Sequence, residues 1–102
     1  MNIIVYNTCP DEATAAQISR ALVEAGVAAC VHRHNAGTSV FEWEGRIEEE
    51  SEVLLMVKTK EKLYPRVEET ILANHPYDVP EIIAVDISQG LASYLRWIDH
   101  LA

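Results

Sequence analysis

The 102-residue sequence contains no apolar run that approaches the roughly 20 residues of a membrane-spanning helix. Its first residues, 1–5, also lack the basic segment and the cleavage site of a signal peptide, and we interpret them as the start of a strand. We therefore expect a cytoplasmic protein without a membrane partner.

Basic residues are scarce: 8 Lys and Arg stand against 16 Asp and Glu, which gives a formal net charge of −8. Because nucleic-acid binding depends on basic side chains that neutralise phosphates, we expect no nucleic-acid partner. The same negative charge attracts cations, although many acidic surfaces serve solubility alone.

Cysteine is also scarce, and the two thiols, Cys9 and Cys30, do not form a CxxC pair. A structural zinc site is therefore disfavoured, and in a cytoplasmic protein we expect two free thiols. The sequence has no HExxH, P-loop or GxSxG motif, so we expect a protein that is not an enzyme. Hydrolysis by His75 together with Glu81 remains a minor alternative.

Hydrophobic periodicity divides the chain into strands and helices. The expected strands are 2–8, 27–32, 39–43 (after a loop around 35–37), 46–59 and 82–87. The expected helices run from about 11 to 25, between 59 and 74, and after Gly90. Pro65 lies inside the second helical pattern, so this helix should begin late, near Lys62, or be kinked.

The order β-α-β-β-α-β-α predicts one α+β domain spanning 1–102. It matches the ferredoxin-like βαββαβ arrangement, a four-stranded antiparallel sheet with two helices on one face, with a long β-hairpin and a C-terminal helix added. Phe41, Trp43 and Ile47 place apolar side chains near the hairpin tip, where the body of the same chain is too distant to bury them. We therefore expect a partner to cover this tip.

The segment His75–Glu81 joins the second helix to the last strand. Each of its two prolines fixes its own φ and pushes the preceding residue towards an extended conformation, so the helix must end before His75. This stiff segment presents an imidazole, a phenol and two carboxylates. It is therefore either a binding site or a packing clamp.

Several short motifs follow one another in a specific order: Thr8-x-Pro10, Ala28-Ala29-Cys30-Val31, Gly37-x-Ser39, Trp43-x-Gly45, Glu52, Lys58-Thr59, His75–Glu81 and Tyr94-x-x-Trp97-Ile98. With this set the chain resembles the CutA family of divalent-cation tolerance proteins over nearly its whole length. The resemblance implies a ferredoxin-like fold and a homotrimer in which hairpins extend the sheets across subunits, with polar clefts between them. It also implies copper or another divalent cation as the bound cofactor, in metal tolerance or response to metal ions.

The chain departs from the family pattern after Val31, where an Asn and a small or apolar stretch ending in Pro-Gly are usual. Here the residues 32–37 are His-Arg-His-Asn-Ala-Gly. Cys30, His32 and His34, spaced two apart, put a thiol and two imidazoles on one strand face. Because strand residues two apart are separated by about 6.5–7 Å, two of them plus a group from a neighbouring subunit would suit an ion better than all three. A second departure, Phe41 in place of the common Tyr, removes a hydroxyl from the cleft.

We predict four metal ligands and three further cleft-binding residues. The ligands are Cys30, His32, His75 and Glu81, and the cleft-binding residues are Lys58, Tyr77 and Trp43. Thiol and imidazole donors suit copper or zinc.

Each of these residues also has a structural alternative. A thiol in an apolar strand is commonly inert, and His32 and His34 can be polar residues at a strand end. His75 can cap the helix C-terminus, and Glu81 can form an ion pair with Lys58.

The alternative function is a trimeric signalling or scaffold module whose intersubunit clefts bind a small anionic metabolite or a partner protein. In that case Lys58 and Arg33 would matter more than Cys30.

Overall fold

The computed structural model of the chain describes residues 1–101, which form a mixed α+β fold around one antiparallel sheet. Its elements are β1 (Asn2–Cys9), α1 (Glu12–Glu24), β2 (Cys30–Trp43), β3 (Arg46–Lys60), a 3-10 turn (Glu61–Leu63), α2 (Tyr64–Asn74), β4 (Ile82–Asp86) and α3 (Ala92–Asp99). None of the described helices is long and apolar enough to cross a membrane.

The sheet has the strand order β2-β3-β1-β4, so β3 and β1 are central and β2 and β4 are the edges. α1 and α2 pack on one face, where Val5 of β1 and Val57 of β3 are fully buried against Ile18 and Ile71 of the helices. Because full burial of such side chains is worth about 1.5–3 kcal/mol each, this face forms the hydrophobic core.

Local signals set both ends of α1. The Asp11 carboxylate accepts a hydrogen bond of 2.8 Å from the Thr14 backbone N–H, which is an N-cap and lowers the pKa of Asp11. Gly26 follows the helix with φ +73°, the left-handed conformation that ends many helices and that glycine adopts without a steric cost. The predicted helix between 11 and 25 is therefore confirmed.

The prediction of a late start for the second helix is also confirmed. The chain first forms the 3-10 turn, and α2 begins at Tyr64, so that Pro65 falls in its first turn. In that position the missing N–H of proline removes no intrahelical hydrogen bond. The helix ends at Asn74 and His75 is extended, as the following proline requires.

The predicted loop around 35–37 is wrong, because β2 continues without a break to Trp43. The strand accommodates one extra residue as a bulge: His34 pairs with Leu54 of β3, whereas Gly37 already pairs with Glu52. A Cβ atom at Gly37 would lie 3.2 Å from the Glu52 carbonyl oxygen, so a glycine suits the close approach of the two strands. The predicted start of this strand at Val27 is also early, since β2 begins at Cys30.

α3 packs on the opposite face of the sheet from α1 and α2. The Asn2 amide donates a hydrogen bond of 3.3 Å to the Leu95 carbonyl, and the Lys60 ammonium donates to the carbonyls of Asp99 and Leu101. Ile98 of α3 is fully buried. The helix covers one end of this face and leaves the rest uncovered by the described part of the chain.

The hairpin of β2 and β3 extends beyond the body of the fold. β1 ends at Cys9, opposite Val53, so no described strand pairs with the outer edge of β3 over 46–52. Near the tip, Trp43 is 61% exposed and Ile47 is 73% exposed. The apolar tip predicted from the sequence is therefore present, and the described chain does not cover it.

Candidate metal-binding site

The sheet face opposite α1 and α2, which we call the open face, carries the candidate chemistry. Antiparallel residues that pair directly point to the same side of a sheet. By this register the open face presents Cys30, His32 and His34 of β2, Leu54, Met56 and Lys58 of β3, Ile4, Tyr6 and Thr8 of β1, and Ile83 and Val85 of β4. The histidines are exposed, and the side chains of the two central strands are half-buried.

Cys30 and Lys58 form one row of this face, because they pair directly and Lys58 pairs in turn with Ile4. The Lys58 ammonium nitrogen lies 5.6 Å from the centre of the Tyr94 ring of α3, a cation–π contact. The Cys30 thiol is half-buried and free. The two residues predicted to meet in the cleft are therefore neighbours.

His32 and His34 form the next part of the face. Their ring centres are 4.6 Å apart in an edge-to-face arrangement, and both side chains are exposed. Two imidazoles this close can chelate one ion when both are neutral. Within the described residues, however, no three His, Cys, Asp or Glu side chains are close enough to hold a metal ion together. Cys30, His32 and His34 therefore do not converge on one point.

His75 clamps the loop to the end of β1. Its Nε2 is 2.8 Å from the Thr8 carbonyl oxygen, and its Nδ1 accepts a hydrogen bond of 3.1 Å from the Tyr77 backbone N–H. Since a carbonyl can only accept, Nε2 carries the proton and Nδ1 carries the lone pair. Both nitrogens are occupied, and this clamp differs from the predicted cap on the C-terminus of α2.

Tyr77 and Glu81 lie on the same loop. The Tyr77 ring is 5.0 Å from the His75 ring, and burial, followed by the negative charges of Glu52 and Glu50, raises the pKa of its phenol. The Glu81 backbone carbonyl accepts a hydrogen bond of 2.9 Å from the Asn7 amide, while its side chain is exposed.

The alternative ion pair between Lys58 and Glu81 does not form. Lys58 pairs with Ile4, whereas the loop meets β1 at Asn7 and Thr8. Four residues of a strand span about 13 Å, so one chain does not bring His75, Tyr77 and Glu81 to Cys30 and Lys58. A shared cleft needs a second copy of the chain.

The two basic residues that the alternative, anion-binding function would use, Arg33 and Lys58, are also far apart. Arg33 pairs with buried Leu55 and points to the helical side, where its guanidinium lies 4.0 Å from the Glu12 carboxylate. Lys58 points to the open face. A single subunit therefore offers no site where both cations meet one anion. Trp43, at the hairpin tip opposite Arg46, is remote from both.

A family model described as CutA1 divalent ion tolerance protein matches residues 3–100. The chain belongs to the CutA1 divalent ion tolerance family. The resemblance drawn from the sequence motifs is thereby confirmed.

Individual CutA relatives agree with this assignment. Protein CutA of Mus musculus is 48% identical over 93 residues, which cover 91% of this chain and 52% of the mouse protein. The chain thus spans about half the length of that relative. A solved structure, the divalent cation tolerance protein Cut A1 of Thermus thermophilus, is 43% identical with a TM-score of 0.93, covering 96% of this chain and 95% of the other. The periplasmic divalent cation tolerance protein CutA of Archaeoglobus fulgidus is 37% identical with a TM-score of 0.95, over 99% and 98% of the two chains.

The sequence of this CutA1 chain does not indicate Met56 as a candidate site residue. The residue pairs directly with His32 and shares the open face with it. In the sequence Met56 is one apolar residue of a strand, and its neighbour across the sheet follows only from the register, which the bulge after His34 shifts by one residue. The sequence shows the alternation of side chains along each strand, but it does not show how β2 and β3 align.

Proposed function

We propose that the chain acts in metal tolerance as a cytoplasmic protein that binds divalent cations, copper among them, and that it is not an enzyme. The observation that carries the proposal is the pair of exposed imidazoles, His32 and His34, with ring centres 4.6 Å apart on one strand face. Imidazole is a common ligand of copper and zinc. The net charge of −8 adds a general attraction for cations.

The remaining ligands come from the same strand and from a neighbouring subunit. Cys30 lies two residues before His32, and the exposed Glu81 side chain of another copy can approach the open face, as can His75 once its clamp opens. Lys58, Tyr77 and Trp43 lie apart in one subunit, so in the proposed assembly they line the cleft from neighbouring subunits.

The assembly we propose is a homotrimer of ferredoxin-like subunits. The strand order β2-β3-β1-β4 with α1 and α2 on one face supports the ferredoxin-like assignment. The exposed Ile83 and Val85 on the open face, together with the unpaired edge of β3 over 46–52, support coverage by further copies. We place the protein in the cytoplasm because Cys9 and Cys30 are both free thiols.

Calorimetric titration of the metal-free protein with Cu²⁺ tests the function. We expect stoichiometric binding that His32→Asn weakens by about tenfold or more, since even the loss of a group that merely orients a ligand costs this much. His100→Asn is the matched control, because His100 is an exposed histidine at the end of α3 and bonds the Arg96 carbonyl.

Two further variants, Cys30→Ser and His75→Ala, report on the other ligands in the same titration. Absence of binding to the wild-type protein would reject the function. Binding that none of the three site variants changes would reject the assigned site and leave the function in place.

A further inference from the structure

Met56 is the sulfur donor that faces the imidazole pair. It pairs with His32 across β2 and β3, and directly paired residues have Cβ atoms about 4.5–5.5 Å apart. A methionine side chain has three rotatable bonds, so its thioether can adjust to a bound ion. His32, His34 and Met56, which we call the His–Met group, therefore offer two nitrogens and one sulfur on one patch of the open face.

Cys30 is a weaker partner for this patch than Met56. It pairs with Lys58, whose ammonium stays on the open face in contact with the Tyr94 ring. A cation bound at the thiol would be repelled by that positive charge. Cys30 also fails to converge with His32 and His34 into a three-residue site within the described part of the chain.

The partners of the His–Met group across the sheet are uncharged, because Leu54 pairs with His34 and Tyr6 pairs with Met56. Lys58 lies two residues from Met56 on the same face. Its positive charge repels a divalent ion more strongly than a monovalent one. Thioether ligands favour Cu(I) among the biological metals.

We infer that the His–Met group is a site for monovalent copper, with His32 and His34 as nitrogen ligands and Met56 as the sulfur ligand. The inference rests on the proposed function, since it refines which ion the imidazole pair binds. For Cu(I), Met56 takes the place that Cys30 has in the proposed function as the sulfur ligand, and Met56 sets the preference for Cu(I) over Zn²⁺.

The test compares Cu(I) and Zn²⁺ binding by the full chain, under anaerobic conditions for Cu(I). Cu(I) affinity is measured by competition with the chelator bicinchoninate, and Zn²⁺ affinity by calorimetry. Met56→Leu removes the sulfur and keeps an apolar side chain of similar volume. We expect it to weaken Cu(I) binding by about tenfold or more and to leave Zn²⁺ binding unchanged.

His100→Asn is the matched control, because His100 is an exposed histidine at the end of α3, and we expect it to leave Cu(I) affinity unchanged. Cys30→Ser distinguishes the two sulfurs of the open face. We expect X-ray absorption of the Cu(I)-loaded protein to show a sulfur ligand in Cys30→Ser that is missing in Met56→Leu. Thermal melting and sedimentation of each variant verify that fold and assembly are retained.

The outcomes separate this inference from the proposed function. Suppose that the wild type binds Zn²⁺ and Cu²⁺, and that Met56→Leu has the same Cu(I) affinity as the wild type. This result would overturn the inference and leave the proposed function in place. Loss of Cu(I) binding in Cys30→Ser would also overturn it, because the thiol would then be the sulfur ligand. Failure of the wild type to bind any of the three ions would overturn both.

Discussion

At the scale of single residues, the two cysteines differ in what their surroundings allow. Cys9 is fully buried, and its thiol donates a hydrogen bond of 3.4 Å to the Asn7 side-chain oxygen. Burial, followed by the charges of Asp11 and Glu52, raises its pKa from 9.0 to about 11. A thiol held in its protonated form is a poor nucleophile and a poor metal ligand. Cys9 is therefore excluded as a candidate metal ligand, and Cys30 is the one cysteine that can serve as a candidate.

The raised pKa of Cys9 predicts a loss of stability at alkaline pH. The unfolded thiol loses its proton near pH 9.0 and the folded thiol near pH 11, so between these values the folded state binds more protons. The free energy of unfolding therefore falls as the pH rises through this window, by up to about 2 kcal/mol. Urea denaturation at pH 8, 9, 10 and 11 measures it.

Cys9→Ala is the control for this measurement, since other groups also titrate in this window. The alkaline loss of stability should be smaller in Cys9→Ala than in the wild type. Equal losses in the two proteins would contradict the assignment to Cys9.

His75 shows why a residue's chemistry does not reveal its role by itself. The sequence predicted a ligand or a helix cap, and the structure has a clamp that joins Thr8 and Tyr77 through both ring nitrogens. Thr8 is 67 residues away in the chain, so no local pattern could have identified it as the partner. The local sequence of residues 75–81 therefore could not decide between a binding site and a packing clamp.

At the scale of secondary-structure elements, the termination of α1 depends on one backbone conformation. Gly26 has φ +73°, and a Cβ atom at this position would meet no other atom within 4 Å. Gly26→Ala therefore adds left-handed backbone strain without a clash and should lower the free energy of unfolding by about 1 kcal/mol. Asparagine tolerates the left-handed region better, so Gly26→Asn should cost less. Chemical denaturation of both variants measures the difference, and equal costs would contradict the strain argument.

The elements that sequence predicted well are those whose signals are local. The apolar spacing of α1 and the position of Pro65 relative to α2 are local, and both predictions are confirmed. The bulge after His34 is not local, because it depends on how β2 aligns with β3. An Asn-Ala-Gly run is typical of a loop, and the long-range ladder overrides that preference. The same dependence on register concealed the pairing of His32 with Met56.

At the scale of the whole molecule, the apolar surface is on the side that the helices leave open. α1 and α2 cover one face of the sheet, and α3 covers one end of the other. The surface that the helices do not cover consists of the open face, the projecting hairpin and the unpaired edge of β3. Since the separate parts of the predicted cleft lie about 13 Å apart along β1 in one chain, assembly and metal binding are linked in the proposed function.

The proposed homotrimer predicts how the hairpin controls assembly. We expect the wild-type protein to sediment with three times the mass of the chain at micromolar concentration, and its melting temperature to rise with protein concentration. Trp43→Lys combined with Ile47→Lys removes two exposed apolar side chains near the tip, each worth about 1.5–3 kcal/mol when buried in an interface. The double variant should therefore sediment at lower mass.

Leu72→Lys is the control, because Leu72 is an exposed apolar residue of α2, on the helical side of the fold. The mass of the Leu72→Lys variant should match that of the wild type. A wild-type protein with the mass of one chain would contradict the trimer, and unchanged mass in the double variant would contradict the role of the hairpin.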